Sequence, residues 1–216
     1  MMPAAHEDPG PKAVVVREID TPHGAARIQA HALEAPRAGL VLGHGAGGGV
    51  ATRDLVAATE TALEHGVSVV LVEQPYRVAG RRSPAPAAQL DTAWRAVVEA
   101  LRADELDGVR VLVGGRSSGA RVACRTAEAV DAIGVLCLAF PLVPPPRRSG
   151  APPVSRLPEL EAVSVPTLVV QGANDRFGIP PAAARRRVVV VRGGHALRSG
   201  LVELRTAVGD WLEEVV

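Results

Sequence analysis

The sequence predicts an α/β fold built on a mostly parallel, doubly wound sheet. After Pro36, continuous apolar runs alternate with amphipathic segments. Such runs are typical of strands that helices cover on both faces. Before Pro36, two shorter runs flank Thr21-Pro22-His23-Gly24, a turn signal that predicts an antiparallel hairpin. At 216 residues and without a visible repeat, the chain is long enough for one domain with a substantial core.

The elements follow from the runs in chain order. Strands are predicted at residues 12–19, 25–33, 39–42, 67–72, 109–114, 133–140, 166–170 and 188–191. Helices are predicted at 53–65, 87–103, 118–130, in a short stretch within 180–185, and at 199–215. We expect residues 1–11 to form a disordered tail and 12–216 a single domain. The proline-rich stretch 141–158 is predicted to be a surface crossover loop, with a short lid as the alternative, and too few residues remain for a cap domain.

Composition argues against several classes of protein. The net charge is +1 with both signs interspersed, so there is no basic surface for nucleic acid. The longest apolar run, residues 132–143, is too short to cross a bilayer. Cys124 and Cys137 fall in a predicted helix and a predicted core strand, which favours a reducing, cytoplasmic compartment. The six histidines are scattered without metal-ligand spacing, so we expect no metal site.

The segment Gly115-Arg116-Ser117-Ser118-Gly119 carries the first chemical signal. It follows an apolar run and precedes an alanine-rich segment, which is the strand, tight turn and helix that a nucleophile elbow needs. Ser117 takes the central position, and the alternative is a structural turn flanked by glycines. The backbone N–H of Ser118 is then the expected oxyanion donor.

A serine nucleophile needs a histidine base and an acid that orients it. Asp175 lies just beyond the predicted strand 166–170, and His195 lies beyond the following strand, after two glycines. Both residues therefore follow strands at the sheet edge that carries Ser117, in the chain order Ser, Asp, His. The alternatives are a helix-capping aspartate and a surface histidine.

A glycine-rich loop, residues 43–49, supplies a second candidate for the oxyanion site. We expect the backbone N–H of Ala46 to point at the oxyanion, while His44 supports the loop through hydrogen bonds or contacts substrate. The same glycines match a dinucleotide fingerprint, with Glu73 as the ribose-binding acid. That alternative leaves several residues between the glycines and the helix, and it does not explain the serine, aspartate and histidine. No Gly-Lys-Ser or Gly-Lys-Thr follows, so a Walker site is excluded.

Several further residues border the predicted site. Arg116 is expected either to form a buried ion pair with an acid such as Glu73 or to bind a substrate carboxylate. Tyr76 and Arg77 lie in a polar loop beside the site, where they either shape specificity or are merely solvated.

The His44-Gly45-Ala46-Gly47-Gly48 loop, the run Gly114 to Gly119, Asp175 and His195 together resemble the α/β-hydrolase superfamily over residues 38–216. The resemblance is nearest to a small, cap-less branch similar to dienelactone hydrolases, which also includes testis-expressed relatives and a subunit of a histone acetyltransferase complex. Asp175-x-Phe177-Gly178 also fits, and Phe177 joins the candidate substrate contacts. Arg176 stands where this branch often has proline, and Glu73-Gln74 replaces a more apolar segment. Dienelactone hydrolases use a cysteine nucleophile, so their substrate is not transferred to Ser117.

The sequence therefore predicts an α/β-hydrolase that cleaves an ester or similar acyl bond of a small molecule through an acyl-enzyme. This chemistry requires no cofactor. Low aromatic content and the absence of a cap predict an open, aliphatic pocket for small acyl groups. A non-catalytic interaction protein on the same fold and an NAD(P)-dependent oxidoreductase are the alternatives.

Overall fold

A computed structural model of the chain describes residues 13–144 and 152–216. The predicted disordered tail, residues 1–11, and the central part of the proline-rich stretch lie outside these ranges. Helix and strand bounds below refer to the described residues.

Eight strands form one sheet, in the spatial order β1-β2-β4-β3-β5-β6-β7-β8. β1 pairs antiparallel with β2, β2 pairs antiparallel with β4, and all remaining pairs are parallel. The predicted mostly parallel sheet with an N-terminal antiparallel hairpin is therefore confirmed. The strands are β1 (Val15–Thr21), β2 (Gly24–His31), β3 (Ala38–Gly43), β4 (Val67–Glu73), β5 (Val111–Arg116), β6 (Val135–Leu138), β7 (Thr167–Gly172) and β8 (Arg186–Val191).

Helices cover both faces of the sheet. They are α1 (Arg53–Glu64), α2 (Pro75–Val78), α3 (Ala87–Arg102), α4 (Ser118–Thr126), a 3-10 turn (Glu128–Val130), α5 (Leu157–Glu161) and α6 (Leu201–Val215). Side chains alternate along β3: Leu40 and Leu42 pack toward α1 and α6, whereas Val41 packs toward α3 and α4. Trp211 is buried in the core between the sheet and helices α1 and α6, and Trp94 is buried in the core between the sheet and helices α3 and α4. Burial on both faces explains why the central strands are continuous apolar runs.

Three predicted helix features differ from the structure. The helix expected at 118–130 ends at Thr126, before the 3-10 turn. No helix forms within 180–185: Ala183 and Arg186 exchange two backbone hydrogen bonds of 3.0 Å, which makes a tight turn into β8. The short helices α2 and α5 were not predicted, because four or five residues are too few to display a helical period.

The topology brings the carboxyl ends of the parallel strands to one edge of the sheet. β3, β5, β7 and β8 end at Gly43, Arg116, Gly172 and Val191, and the loops that follow them carry the glycine-rich segment, Ser117, Asp175 and His195. Among the described residues no helix is long and apolar enough to cross a membrane.

Candidate active site

Ser117 is the single residue between β5 and α4. Its backbone has φ 53° and ψ −104°, a conformation that a non-glycine residue rarely adopts. Its N–H donates to the Leu138 carbonyl at 2.9 Å, which ties the turn to the end of β6. The predicted strand, tight turn and helix are thus present, with the strain that lifts a side chain above a sheet edge.

Two glycines allow the turn to lie against β3. A Cβ placed on Gly115 or on Gly119 would lie 2.4 Å from the Gly43 carbonyl oxygen, a distance that no side chain tolerates. Gly43 is also the register partner of Gly115 in the sheet. Glycine at both positions therefore permits backbone contact between β3 and the first turn of α4.

Ser117, His195 and Asp175 form a continuous hydrogen-bonded chain. The Ser117 Oγ lies 2.9 Å from His195 Nε2, and His195 Nδ1 lies 2.8 Å from Asp175 Oδ2. With Nδ1–H donating to the carboxylate, Nε2 is free to accept the serine proton. The structure thus brings together three residues that the sequence places in separate loops.

Asp175 is held by two donors besides His195. Its side chain is fully buried; Oδ1 accepts from the Phe177 N–H at 2.9 Å, and Oδ2 accepts from Gln171 Nε2 at 2.8 Å. Gln171 Nε2 also lies 3.1 Å from the Phe140 carbonyl oxygen. These contacts fix the carboxylate orientation independently of the histidine.

The loops of Asp175 and His195 pack directly on each other. A Cβ at Gly172 would lie 2.6 Å from the Gly194 carbonyl oxygen, and the Asn174 N–H donates to the Gly193 carbonyl at 2.8 Å. The Phe177 ring meets the His195 ring edge-on, with centroids 4.4 Å apart. Phe177 therefore limits the movement of the imidazole from one side.

The glycine loop after β3 lies over the turn at Ser117. A Cβ at Gly45 would lie 3.6 Å from Ser117 Cβ, and the Tyr76 hydroxyl donates to the Ala46 carbonyl at 3.0 Å. Ser118 begins α4, where N–H groups have no partner within the helix. No described residue accepts a hydrogen bond from the N–H of Ala46 or Ser118. Both groups are therefore free to bind an oxyanion.

His44 supports this loop from below. Its Nδ1 donates to the Gly45 carbonyl at 2.8 Å, and its Nε2 accepts from the Gln74 N–H at 3.1 Å. Burial lowers the pKa of His44; the Gly45 hydrogen bond and the charge of Glu73 oppose this in part, and the charge of Arg77 adds the smallest effect, a further lowering. With both ring nitrogens engaged, the neutral imidazole is a structural group.

Comparison with known proteins fits this geometry. A family model described as an alpha/beta hydrolase domain matches residues 36–195. The chain belongs to this family. No curated protein sequence matches the chain.

Solved structures share the α/β-hydrolase fold over nearly the whole chain. An α/β serine hydrolase without a lid from Xanthomonas campestris is 20% identical, with a TM-score of 0.74 over 94% of this chain and 95% of its own. Est1E from Butyrivibrio proteoclasticus is 18% identical, with a TM-score of 0.72 over 92% and 98%. A dienelactone hydrolase from Anabaena variabilis is 14% identical, with a TM-score of 0.73 over 95% and 99%. At these identities the likeness concerns the fold alone.

In this α/β-hydrolase the partner of Arg116 is Asp54. The guanidinium Nε lies 3.2 Å from Asp54 Oδ2, whereas Glu73 lies 3.8 Å from Arg27 instead. The predicted buried ion pair of Arg116 is therefore present, but its acid is Asp54 and not Glu73. Glu73 ends β4, which is separated from β5 by β3, whereas Asp54 lies in the first turn of α1.

Tyr76 and Arg77 are the second and third residues of α2, which follows the end of β4. Tyr76 is buried, and its ring centroid lies 5.8 Å from that of His44. Burial raises the pKa of the Tyr76 hydroxyl. The buried Arg77 Nε has no acceptor among the described residues. Tyr76 thus positions the glycine loop, residues 43–49, and a substrate role for Arg77 stays a prediction.

Sequence reasoning missed Asp54 and Gln171. Both are fully buried polar residues in contact with predicted site residues. A sequence feature does mark Gln171, because a polar residue at the end of an apolar strand is unusual. No such feature marks Asp54, because acidic residues commonly occupy the first turn of a helix.

The cysteines and acids elsewhere add no metal-binding cluster. Cys124 and Cys137 are buried with their sulfurs 3.5 Å apart, and this contact, with burial, raises the pKa of Cys137. Across residues 13–144 and 152–216, no three His, Cys, Asp or Glu side chains are grouped as metal ligands.

Gly119→Ala should destabilise the protein, because the new methyl group would lie 2.4 Å from the Gly43 carbonyl oxygen. Overpacking of this kind costs about 1–3 kcal/mol, measurable by urea unfolding followed by circular dichroism. Gly47→Ala is the matched control: its Cβ meets no described atom within 4 Å, so the change should stay below about 0.5 kcal/mol. Equal stability of both variants would contradict the close approach.

His44 should contribute stability that depends on pH. Its folded-state pKa lies below the unfolded value of about 6.5, so its contribution is complete above that value and is lost as pH falls toward the folded pKa. The difference in unfolding free energy between wild type and His44→Gln should therefore shrink below about pH 6.5. His31, whose pKa burial also lowers, is present in both proteins and cancels. A difference that is constant with pH would show that His44 titrates as in the unfolded chain.

Proposed function

We propose that the protein is a serine hydrolase that cleaves an ester or related acyl bond of a small molecule through an acyl-enzyme. The observation that carries this proposal is the hydrogen-bonded chain from Ser117 through His195 to Asp175, on a strained turn. The residues of the His44 to Gly48 loop and of Gly114 to Gly119 support membership of the small, cap-less branch.

The two half-reactions use the same three side chains and two backbone N–H groups. His195 Nε2 takes the proton from Ser117 Oγ as the oxygen attacks the carbonyl carbon, and Asp175 stabilises the resulting imidazolium. The N–H groups of Ala46 and Ser118 bind the oxyanion. His195 then gives its proton to the leaving group. Water attacks the acyl-enzyme with His195 as base, which releases the acid and restores Ser117.

The two alternatives from other classes differ in their support. Against a dinucleotide-dependent oxidoreductase, the helix after the glycine loop begins at Arg53, four residues beyond Gly49, and its first turn holds the buried Asp54. A carboxylate there repels the pyrophosphate that a helix N-terminus would bind. A non-catalytic interaction protein remains the second candidate, with no specific contact in its favour. The reduced cysteines support a cytoplasmic setting.

Wild-type protein should react with a fluorophosphonate probe and hydrolyse p-nitrophenyl acetate. Ser117→Ala should abolish labelling and lower kcat/KM by at least about 10⁴-fold, because the nucleophile is lost. Ser83→Ala, which removes an exposed serine from a surface loop, is the control and should label like wild type. If folded wild-type protein shows neither labelling nor turnover, the proposed hydrolase function is contradicted and the interaction protein is favoured. Tight NAD(P) binding would instead favour the oxidoreductase.

The interior next to Ser118 supports a small acyl group. A cavity of about 10 Å³, roughly one water molecule, is bounded by Ser118, Trp94 and Val122. Gln74, Tyr76 and Leu90 line both this cavity and an outer groove of about 370 Å³. We infer that the acyl group points into the small cavity. Gln74, Tyr76 and Leu90 form the wall between this cavity and the outer groove, and this wall limits the length of the acyl group.

Rates on p-nitrophenyl esters should therefore fall as the acyl chain lengthens from acetate to octanoate. Leu90→Ala opens the wall toward the outer groove and should raise the octanoate-to-acetate ratio of kcat/KM by about 10-fold, within the 10–200-fold range of hydrophobic pocket discrimination. Leu101→Ala removes another buried leucine from the same helix, away from both cavities, and should leave the ratio unchanged. An unchanged ratio in Leu90→Ala would place the acyl group elsewhere.

A further inference from the structure

Arg116 joins three segments of the site. It is the last residue of β5 and precedes Ser117. Its Nε lies 3.2 Å from Asp54 Oδ2 in α1, and its Nη2 donates to the His195 carbonyl at 3.2 Å. The residue before the candidate nucleophile is thus bonded to the backbone of the candidate base.

The glycine loop leaves room for this guanidinium. A Cβ at Gly45 would lie 2.6 Å from Arg116 Nη1, so even an alanine there would displace the side chain. The Arg116 side chain is 16% exposed and lies between the glycine loop, residues 43–49, and the loop of His195. Its path is therefore set by packing as well as by charge.

Asp54 makes the arrangement electrostatically neutral. Its side chain is fully buried, and Oδ1 accepts from the Leu55 N–H at 3.0 Å while Oδ2 faces Arg116. An unpaired cation beside His195 would oppose the imidazolium that forms during acyl transfer. Because Asp54 balances the charge, Arg116 can donate to the His195 carbonyl without that penalty.

We propose that Arg116 is a positioning residue that holds the His195 loop at the distance Nε2 needs to reach Ser117, with Asp54 locking the guanidinium. The proposal rests on the proposed hydrolase function. The Nε2–Oγ hydrogen bond aligns the ring only once it is formed, whereas the Arg116 contact fixes the backbone of His195 beforehand. With Nε and Nη2 both engaged within the protein, Arg116 acts through His195 and does not need to touch substrate.

The test separates positioning from simple stability with a charge-neutral double variant. Arg116→Met and Asp54→Asn should each lower the urea midpoint, because each leaves a buried charge unpaired. Arg116→Met/Asp54→Asn removes both charges and should recover most of the midpoint. Its kcat on p-nitrophenyl acetate should nevertheless remain about 10–100-fold below wild type, with KM within about twofold, since a misplaced base slows chemistry more than binding.

A distant pair serves as the control. Arg125 in α4 and Asp91 in α3 form an ion pair at 2.6 Å; their side chains are 19% and 22% exposed, and Arg125 also lies 3.3 Å from Glu159. Arg125→Met/Asp91→Asn should keep kcat within about twofold of wild type, the same margin set for KM. Recovery of wild-type kcat in Arg116→Met/Asp54→Asn would overturn the proposal in favour of a purely structural pair. A rise in KM confined to carboxylate-bearing esters would overturn it in favour of substrate binding.

A readout that needs no turnover keeps the proposal testable if the hydrolase function fails. The proton on His195 Nδ1, shared with Asp175, should give a downfield ¹H resonance in wild type and in Arg125→Met/Asp91→Asn. In Arg116→Met/Asp54→Asn the resonance should broaden or vanish, because the loop is released. Its persistence unchanged in that variant would overturn the positioning role, whatever the activity of the wild-type protein.

Discussion

Backbone contact between β3 and the first turn of α4 is the constraint on which the site depends. Ser117 holds a backbone conformation that costs about 1–3 kcal/mol, and such strain persists only where the surroundings over-determine it. Here the Gly43 carbonyl lies against Gly115 and Gly119, so the turn cannot relax toward β3. The glycine loop, residues 43–49, leaves β3 at the same Gly43. One contact therefore places both Ser117 and the start of the loop that lies over it.

The fold was predictable because its signals are local. Central strands buried on both faces are continuous apolar runs, and a parallel sheet brings their carboxyl ends together, so the loops of Ser117, Asp175 and His195 had to share an edge. Helix ends and four-residue helices were not predictable from periods of 3.6 residues. Side-chain partners that are far apart in the chain also could not be predicted from the sequence. Arg116, for example, pairs with Asp54, which is 62 residues away in the chain.

The error at Glu73 shows how sheet order decides such pairs. Glu73 and Arg116 both end strands at the same edge, which made them plausible partners. β3 lies between their strands, so about 10 Å separates the two strand axes, at roughly 4.8 Å per strand step. The helix after β3 carries its acid, Asp54, in the first turn, and Asp54 Oδ2 lies 3.2 Å from Arg116 Nε.

The two buried acids of the site have different tasks because their partners differ. An arginine guanidinium stays charged near neutral pH, so a pair such as Arg116–Asp54 is static and suits a structural contact. In the proposed acyl transfer His195 changes charge, so Asp175 would have to be stable beside both a neutral and a cationic ring. The Phe177 N–H and Gln171 Nε2 donate to its carboxylate in either state, and they keep it oriented before the imidazolium forms. A lone Asp–His pair would lack that orientation in the resting enzyme. The unforeseen Gln171 is therefore as much a part of the site's geometry as the predicted Asp175.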